Sequence, residues 1–142
     1  MPSEPLFCQR FNICGGDFVN AGKASITIKG ILREIGIHPS VIRRLAIASY
    51  EAEMNVVLYA HKGSMELRVT PADIRIRVVD EGGGIPDVDL AMQEGYSTAS
   101  DEIREMGFGA GMGLPNIKKN ADVFTIQSVV GKGTTLEITI RL

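Results

Sequence analysis

The apolar residues of this sequence recur every three or four positions in its first part and alternate with polar residues further on. A short strand is predicted at 6–12. From Phe18 to Ile35 the apolar positions keep a helical spacing, which predicts a helix. Asp17 is its predicted N-cap after two glycines, and Gly36 is its predicted end.

A second, longer helix is predicted from Pro39 to about Lys62, since proline is favoured in the first turn of a helix. The period then changes to two at 65–69 and 74–78, where apolar residues alternate with polar ones. Pro71-Ala72-Asp73 between these segments is typical of a turn. The two segments therefore predict a hairpin whose strands each bury one face.

The second half of the chain repeats this change of pattern. A short helix at about 88–94, a polar loop at 95–111 and a helix at 112–121 precede two more alternating segments, which meet at Gly131-Lys132-Gly133. The predicted order is β-α-α-β-β-α-α-β-β. Two hairpins favour a mixed, mainly antiparallel sheet. The alternation of apolar and polar residues along the strands gives the sheet one apolar face, which favours helices on that face only. We therefore predict an α+β two-layer sandwich, with all 142 residues in one domain.

Composition and charge restrict the kinds of partner. The formal net charge is −2, basic residues are scattered, and no apolar run approaches about 18 residues, so neither nucleic acid nor a membrane is an expected partner. The first residues lack the pattern of a signal peptide, which favours a cytoplasmic protein. Cys8 and Cys14 fit that compartment as two free thiols, although a contact between them or with a metal stays open.

Four segments carry candidate chemistry, and the first lies on the long helix. Glu51 and Asn55 are four residues apart, so their side chains share a helix face. An amide oxygen suits the coordination sphere of Mg²⁺, and a glutamate one turn away can accept a proton or orient a water. The same pair is common on solvated helix faces, so it indicates little by itself.

The second segment is Asp80-Glu81-Gly82-Gly83-Gly84, which follows a predicted strand. The Asp80 carboxylate can accept a hydrogen bond from an exocyclic amine such as that of adenine. Gly82 and Gly84 permit positive φ and a close approach of the backbone to a flat ligand. A plain strand-to-helix turn capped by Asp80 is an equal alternative.

The last two segments are rich in glycine. Free backbone N–H groups at a helix start suit phosphate oxygens, with a flexible surface loop as the alternative. The candidates there are Gly107, Gly109, Gly111, Met112, Gly113 and Leu114. The segment is neither a P-loop nor a dinucleotide fingerprint, because no Gly-Lys-Ser/Thr and no parallel β-α-β unit accompany it. Around Gly131–Thr135 a hairpin turn is the simplest interpretation, and the Thr134 hydroxyl can also bind a base through water.

Taken together and in this order, the four segments resemble the motifs of the GHKL superfamily. These are the Bergerat-fold ATP-binding domains of gyrase, a class of heat-shock chaperones, mismatch-repair ATPases and histidine kinases. The resemblance runs from about residue 18 to the end of the chain. Glu51–Asn55 is similar to the N box, Asp80–Gly84 to the first glycine box, Gly107–Gly113 to the second and Gly131–Thr134 to the last.

Within the superfamily, the chain resembles the anti-sigma-factor serine/threonine kinases of bacterial partner-switching systems, in its small size and in residues 107–126. The resemblance implies that ATP and Mg²⁺ bind, that Asn55 holds the metal and that Asp80 binds the adenine amine. It implies further that the second glycine box and its lid wrap the phosphates, and that Glu51 helps to activate a serine or threonine hydroxyl. Arg104, in the lid, is a candidate γ-phosphate contact, with a solvated charge as the alternative.

The resemblance also implies the kind of partner. A STAS-domain protein is the expected substrate of a protein serine/threonine kinase of this type, and a sigma factor or a phosphatase regulator is a further candidate. A homodimer is expected through the N-terminal strand, which would lie at a sheet edge. Two alternatives stay open: a nucleotide-gated switch that sequesters a regulator without chemistry, and a histidine-kinase-type catalytic domain acting in trans.

Overall fold

The secondary structure follows the predicted order throughout the part of the chain that the structure describes. The structure is a computed structural model, and it describes residues 7–93 and 113–142. Its helices and strands are β1 (Phe7–Cys14), α1 (Lys23–Ile35), α2 (Pro39–Tyr59), β2 (Ala60–Val69), β3 (Asp73–Gly82), α3 (Val88–Ala91), α4 (Gly113–Asn120), β4 (Val123–Val129) and β5 (Gly133–Arg141).

The five strands form one sheet in the order β1-β2-β3-β5-β4, and every neighbouring pair is antiparallel. Along β3, Ile74, Ile76 and Val78 are buried, whereas Arg75 and Arg77 are exposed. One face of the sheet is therefore covered and the other faces solvent, as the alternating pattern predicts. The α+β two-layer architecture is confirmed.

The covered face is built from rows of apolar side chains that run across the strands. In one row, Met65, Val78, Leu136 and Ile126 are successive register partners from β2 to β4. The next row is also apolar and consists of Leu67, Ile76, Ile138 and Phe124. Helix α2 packs over both rows with a buried stripe that includes Leu45, Ala48, Ala52 and Val56. Each fully buried aliphatic side chain of this kind stabilises the fold by about 1.5–3 kcal/mol. The core thus holds α2 against the centre of the sheet.

Two predicted helix boundaries are wrong. The helix predicted to open at Asp17 begins at Lys23, because the Asp17 carboxylate accepts hydrogen bonds from Asn20 instead, and Gly22, with φ of 94°, is the N-cap. The helix predicted to reach Lys62 ends at Tyr59, since Ala60 is extended and begins β2. The first residues of β2 pair with the end of β3, and that pairing ends the helix.

The N-terminus of α1 is capped by a side chain from another helix. Glu53 of α2 is 2% exposed, and its carboxylate accepts from the backbone N–H groups of Gly22 and Ser25 at 3.0 Å and of Ala24 at 3.3 Å. These are donors that a helix start leaves without intrahelical partners, and a negative charge there also interacts favourably with the helix dipole. Glu53 therefore fixes α1 against α2.

We expect Glu53→Gln to lower the free energy of unfolding by about 2–3 kcal/mol, because a buried amide would turn its own N–H groups toward backbone donors. Urea denaturation followed by circular dichroism measures this. The matched control is Glu34→Gln on the exposed side of α1, for which a change within about 0.5 kcal/mol is expected. An equally small change for Glu53→Gln would contradict the capping role.

The other side of α2 is tied to α4. Arg44 donates through Nε to the carbonyl of Asn120 at 3.1 Å and through its guanidinium to Asp122 at 2.9 Å. Asp122 also accepts from the backbone N–H of Arg141 at 2.7 Å, and these contacts lower the pKa of its carboxyl. Arg44 thus holds the end of α4 and the start of β4 against α2.

The two cysteines are exposed free thiols on β1. At about 3.3 Å per residue, six residues of strand separate them by about 20 Å, which is too far for a disulfide or a shared metal. The prediction of two free thiols is confirmed. Among residues 7–93 and 113–142, no helix combines the length and the apolar character needed to cross a membrane.

Candidate functional site

Two polar side chains of α2 lie against the start of α4. A Cβ atom placed on Gly113 would be 3.3 Å from Oε2 of Glu51 and 3.4 Å from Oδ1 of Asn55. The absence of a side chain at Gly113 therefore leaves the three groups next to one another. The N-terminal end of a helix carries partial positive charge and N–H groups without intrahelical partners. The first described residue of α4 therefore places a helix end that can attract an anion beside a carboxylate and an amide oxygen.

Glu51 is half-buried at this contact. Burial raises the pKa of its carboxyl above the ordinary 4.5, and a hydrogen bond from Nδ2 of Asn116 to Oε1, at 3.4 Å, opposes the rise. A carboxylate whose pKa is raised toward neutrality is a better proton acceptor than one in free solution. Asn116, which the sequence argument did not select, orients Glu51 from the first turn of α4. In the sequence, Asn116 follows Gly113 by three residues, and this spacing predicts that the two share one face of α4.

Asp80 belongs to a polar row on the covered face of the sheet. It is the register partner of Thr134 in β5, which in turn is the partner of Ser128 in β4. The backbone N–H of Thr134 donates to Oδ1 of Asp80 at 3.1 Å. The hydroxyl oxygens of Thr134 and Ser128 lie 2.8 Å apart. Burial raises the pKa of Asp80, and the hydrogen bond from Thr134 opposes the rise. This polar row lies next to the apolar row that contains Val78, two residues further along β3.

The alternative in which Asp80 caps the next helix is wrong. Asp80 lies within β3, and the N-cap of α3 is Asp87, whose side chain accepts from Leu90 N at 3.0 Å. Among residues 7–93 and 113–142, the Asp80 carboxylate binds a strand neighbour through one oxygen only, so within this part of the chain its other oxygen is available to accept from a ligand.

Two of the glycines that follow Asp80, Gly82 and Gly84, are required by protein packing. A Cβ on Gly82 would lie 2.9 Å from the carbonyl oxygen of Tyr59, at the end of α2. Gly84 has φ of 77°, and a Cβ there would lie 2.6 Å from the carbonyl oxygen of Val129. Of the two, only Gly84 has the positive φ that a glycine permits. The loop is therefore held between α2 and the β4–β5 hairpin.

The remaining predicted site residues fall into two groups. Leu114 is buried and packs into the core beside Gly113, and Thr134 is buried beside Asp80. Five others lie outside the described residues: Arg104, Gly107, Gly109, Gly111 and Met112. The structure thus brings Glu51 and Asn55 together with Gly113, and Asp80 together with Thr134, on the helix-covered side of the sheet.

A separate cavity lies under the edge strand β1. It has a volume of about 440 Å³ and is lined by β1, the start of α1 and the α2 residues Glu53 and Val57. None of the predicted site residues within 7–93 and 113–142 lines it. Since the Glu53 carboxylate is already bound to three backbone N–H groups, this cavity offers no free buried charge.

The predicted site residues all fall within the match to a known protein family. Residues 40–142 match the family model described as histidine kinase-, DNA gyrase B-, and HSP90-like ATPase. The chain is 32% identical over 114 residues to serine/threonine-protein kinase RsbT of Bacillus subtilis, covering 77% of this chain and 79% of RsbT. It is 35% identical over 103 residues to the anti-sigma F factor of Caldanaerobacter subterraneus subsp. tengcongensis, covering 69% and 68%.

Solved structures share the fold. The crystal structure of the SiaB–SiaC complex from Pseudomonas aeruginosa aligns with a TM-score of 0.62 at 15% identity, covering 97% of this chain and 92% of that chain. The RsbU and RsbW domains of a Mycobacterium tuberculosis protein align with a TM-score of 0.57 at 19% identity. That alignment covers 94% of this chain and 32% of the other. The predicted GHKL relation is confirmed: the chain belongs to the family of histidine kinase-, DNA gyrase B- and HSP90-like ATPases.

Proposed function

We propose that the chain is an ATP-dependent protein serine/threonine kinase of a bacterial partner-switching system, and that it phosphorylates a STAS-domain protein in the cytoplasm. The observation that carries the proposal is the contact of Glu51 and Asn55 with the start of α4. It supplies a proton acceptor, an oxygen ligand for a hard cation and an anion-binding helix end within one small volume.

The names of the relatives support this class of activity and of partner. RsbT is named a serine/threonine-protein kinase, and the other relative reported above is named an anti-sigma F factor. SiaB was crystallised in complex with SiaC. These names agree with a kinase that acts on a regulatory protein. A sigma factor or a phosphatase regulator is a further partner in this proposal. A homodimer through the edge strand β1 stays a prediction.

The proposed chemistry is phosphoryl transfer to a hydroxyl. The free oxygen of Asp80 accepts from the adenine amine, the second glycine box and Arg104 contact the phosphates, and Asn55 offers its amide oxygen to Mg²⁺. Bound Mg²⁺ would supply charge neutralisation at the phosphates. Glu51 takes the proton of the attacking serine or threonine hydroxyl while the hydroxyl oxygen bonds to the γ-phosphorus. The bond between the γ-phosphorus and the bridging oxygen of ADP breaks, and ADP leaves with its electrons.

A pH dependence follows from the environment of Glu51. Only the deprotonated carboxylate accepts the hydroxyl proton, and burial raises the pKa of Glu51 above 4.5. We therefore expect the single-turnover transfer rate at saturating ATP to fall with decreasing pH already above pH 4.5. The slower Glu51→Gln variant should lose this dependence. Saturating ATP is needed because burial also raises the pKa of Asp80. A rate in the unaltered chain that is constant down to pH 4.5 would contradict Glu51 as the base.

The proposal is tested with γ-labelled ATP, Mg²⁺ and a STAS-domain protein from the same gene neighbourhood. Transfer of the label to a serine or threonine of that protein, with one ADP formed per phosphate, would support the kinase. A parallel reaction with α-labelled ATP is the control for label that stays on the partner as bound nucleotide. Stable complex formation that requires ATP but transfers no label would reject the kinase and favour the nucleotide-gated switch, which the anti-sigma F factor relatives also support.

The histidine-kinase alternative draws less support from the structure. His38 is the N-cap of α2, where its ring nitrogen accepts from the backbone N–H of Ser40 at 3.1 Å, and that contact is a structural role. His61 lies near the start of β2 and is exposed. If the label appeared on a histidine of the partner, stable to base and labile to acid, this alternative would replace the serine/threonine kinase.

A further inference from the structure

Ser128 joins three parts of the proposed adenine site through one hydroxyl group. Its Oγ accepts from the backbone N–H of Ile85, just after the first glycine box, at 2.6 Å. It also lies 3.3 Å from the carbonyl oxygen of Gly133 and 2.8 Å from Oγ1 of Thr134. Ser128 occupies a position of β4 at which the alternating pattern otherwise places apolar residues such as Phe124 and Ile126 on the covered face.

Counting protons limits what these hydroxyls can do. A serine hydroxyl has one proton and two acceptor positions, and Ile85 N–H occupies one of those positions. If Ser128 donates to Thr134, the Thr134 proton is free for a ligand. If Ser128 donates to the Gly133 carbonyl, Thr134 donates to Ser128 and presents only lone pairs. The state of Ser128 therefore decides whether Thr134 is a donor or an acceptor.

A direct contact between Thr134 and adenine requires the first of these two states. Its amine is a donor that suits Asp80, and the ring nitrogen N1 beside the amine is an acceptor that requires a donor. We propose that Ser128 is a specificity-determining positioning residue, which orients the Thr134 hydroxyl to donate directly to this ring nitrogen. This inference rests on the ATP binding of the proposed function and is independent of phosphoryl transfer.

The distances show that the two hydroxyls are in direct contact. The Oγ of Ser128 and the Oγ1 of Thr134 lie 2.8 Å apart, the usual length of an O–H···O hydrogen bond in which either hydroxyl can donate, whereas the competing acceptor, the Gly133 carbonyl oxygen, is more distant at 3.3 Å. Thr134 is itself fixed, since its side chain is buried and its backbone N–H is bound to Asp80. Ser128 thus acts on a hydroxyl whose position is already set.

The test compares ATP with 1-deaza-ATP, which keeps the amine and replaces only that ring nitrogen by C–H. Calorimetry with the unaltered chain should give about tenfold tighter binding of ATP, the effect of one buried hydrogen bond. Ser128→Thr should keep this ratio and Ser128→Val should reduce it to within about twofold, although the two side chains have the same shape. Ser128→Ala, which adds no bulk, should behave like Ser128→Val and serves if the latter does not fold.

Each outcome decides between two roles. Equal weakening of both nucleotides by Ser128→Val or Ser128→Ala would overturn the inference and leave Ser128 as a purely structural residue. An unchanged ratio in either variant, or a ratio lost in Ser128→Thr as well, would overturn it too. If the unaltered chain binds no ATP, the proposed function fails together with this inference, whereas a failed kinase assay with normal ATP binding leaves the inference intact.

Discussion

We expect the replacement of Glu51 by Gln to slow the proposed phosphoryl transfer to the partner protein by about 10²–10⁴-fold and to leave ATP affinity within about twofold. Glutamine keeps the shape of the side chain and an oxygen that can accept from Asn116, but it cannot take the proton of the attacking hydroxyl. Asn55, Asp80 and the helix start remain in place to bind the nucleotide. The measurements are the single-turnover transfer rate and the calorimetric affinity for ATP in the presence of Mg²⁺.

The stability of the same variant separates this role from a structural one. Burial raises the pKa of Glu51, so between its unfolded and folded pKa values the native state holds more protons than the unfolded state. Its contribution to stability therefore falls as pH rises through this range, and Glu51→Gln should be at least as stable as the unaltered chain at neutral pH. Glu137→Gln, at an exposed ion pair with Arg77, is the matched control and should transfer phosphate normally. A transfer rate in Glu51→Gln close to that of the control would contradict the base assignment.

We expect Asp80→Asn to weaken the proposed ATP binding by about a hundredfold. The asparagine oxygen can still accept from Thr134 N, but its NH₂ group then faces the adenine amine, and two donors cannot bind each other. The loss should be much smaller for purine riboside triphosphate, which has no amine. The measurement is calorimetric titration with both nucleotides.

Asp73→Asn at the other end of β3 is the matched control for this loss. Its carboxylate contacts Thr70 and Arg75, so the change affects a turn and an exposed ion pair and should leave ATP affinity within about twofold. Affinity for ATP within about threefold of normal in Asp80→Asn, or equal losses for both nucleotides, would show that Asp80 does not bind the amine.

The order of the elements could be predicted because each strand and helix has a clear period. Gly36 also ends α1 as expected, with φ of 90° and N–H contacts to Leu32 and Arg33. The boundaries at Asp17 and Lys62 could not be predicted. The start of α1 depends on a carboxylate from another helix, and the end of α2 depends on pairing with β3. Both are tertiary contacts that local patterns do not contain.

The candidate site could be predicted in part for the same reason. The four-residue spacing of Glu51 and Asn55 placed them on one helix face, and the structure brings that face to Gly113. Glu53, two residues away, points instead to α1 and is buried, a difference that the helical period alone indicates. Ser128 became significant only through its register with Thr134 across β4 and β5. Its signal in the sequence is a single hydroxyl at an otherwise apolar position.

The most direct test of the proposed kinase is the intact mass of a STAS-domain partner after incubation with ATP and Mg²⁺, in a two-by-two design. The unaltered chain and Glu51→Gln are each combined with the partner and with a partner variant whose acceptor serine or threonine is replaced by alanine. We expect the mass of one phosphate to be added only when the unaltered chain meets the unaltered partner. Equal phosphate incorporation with Glu51→Gln, or none in any combination despite ATP binding, would contradict a kinase whose base is Glu51.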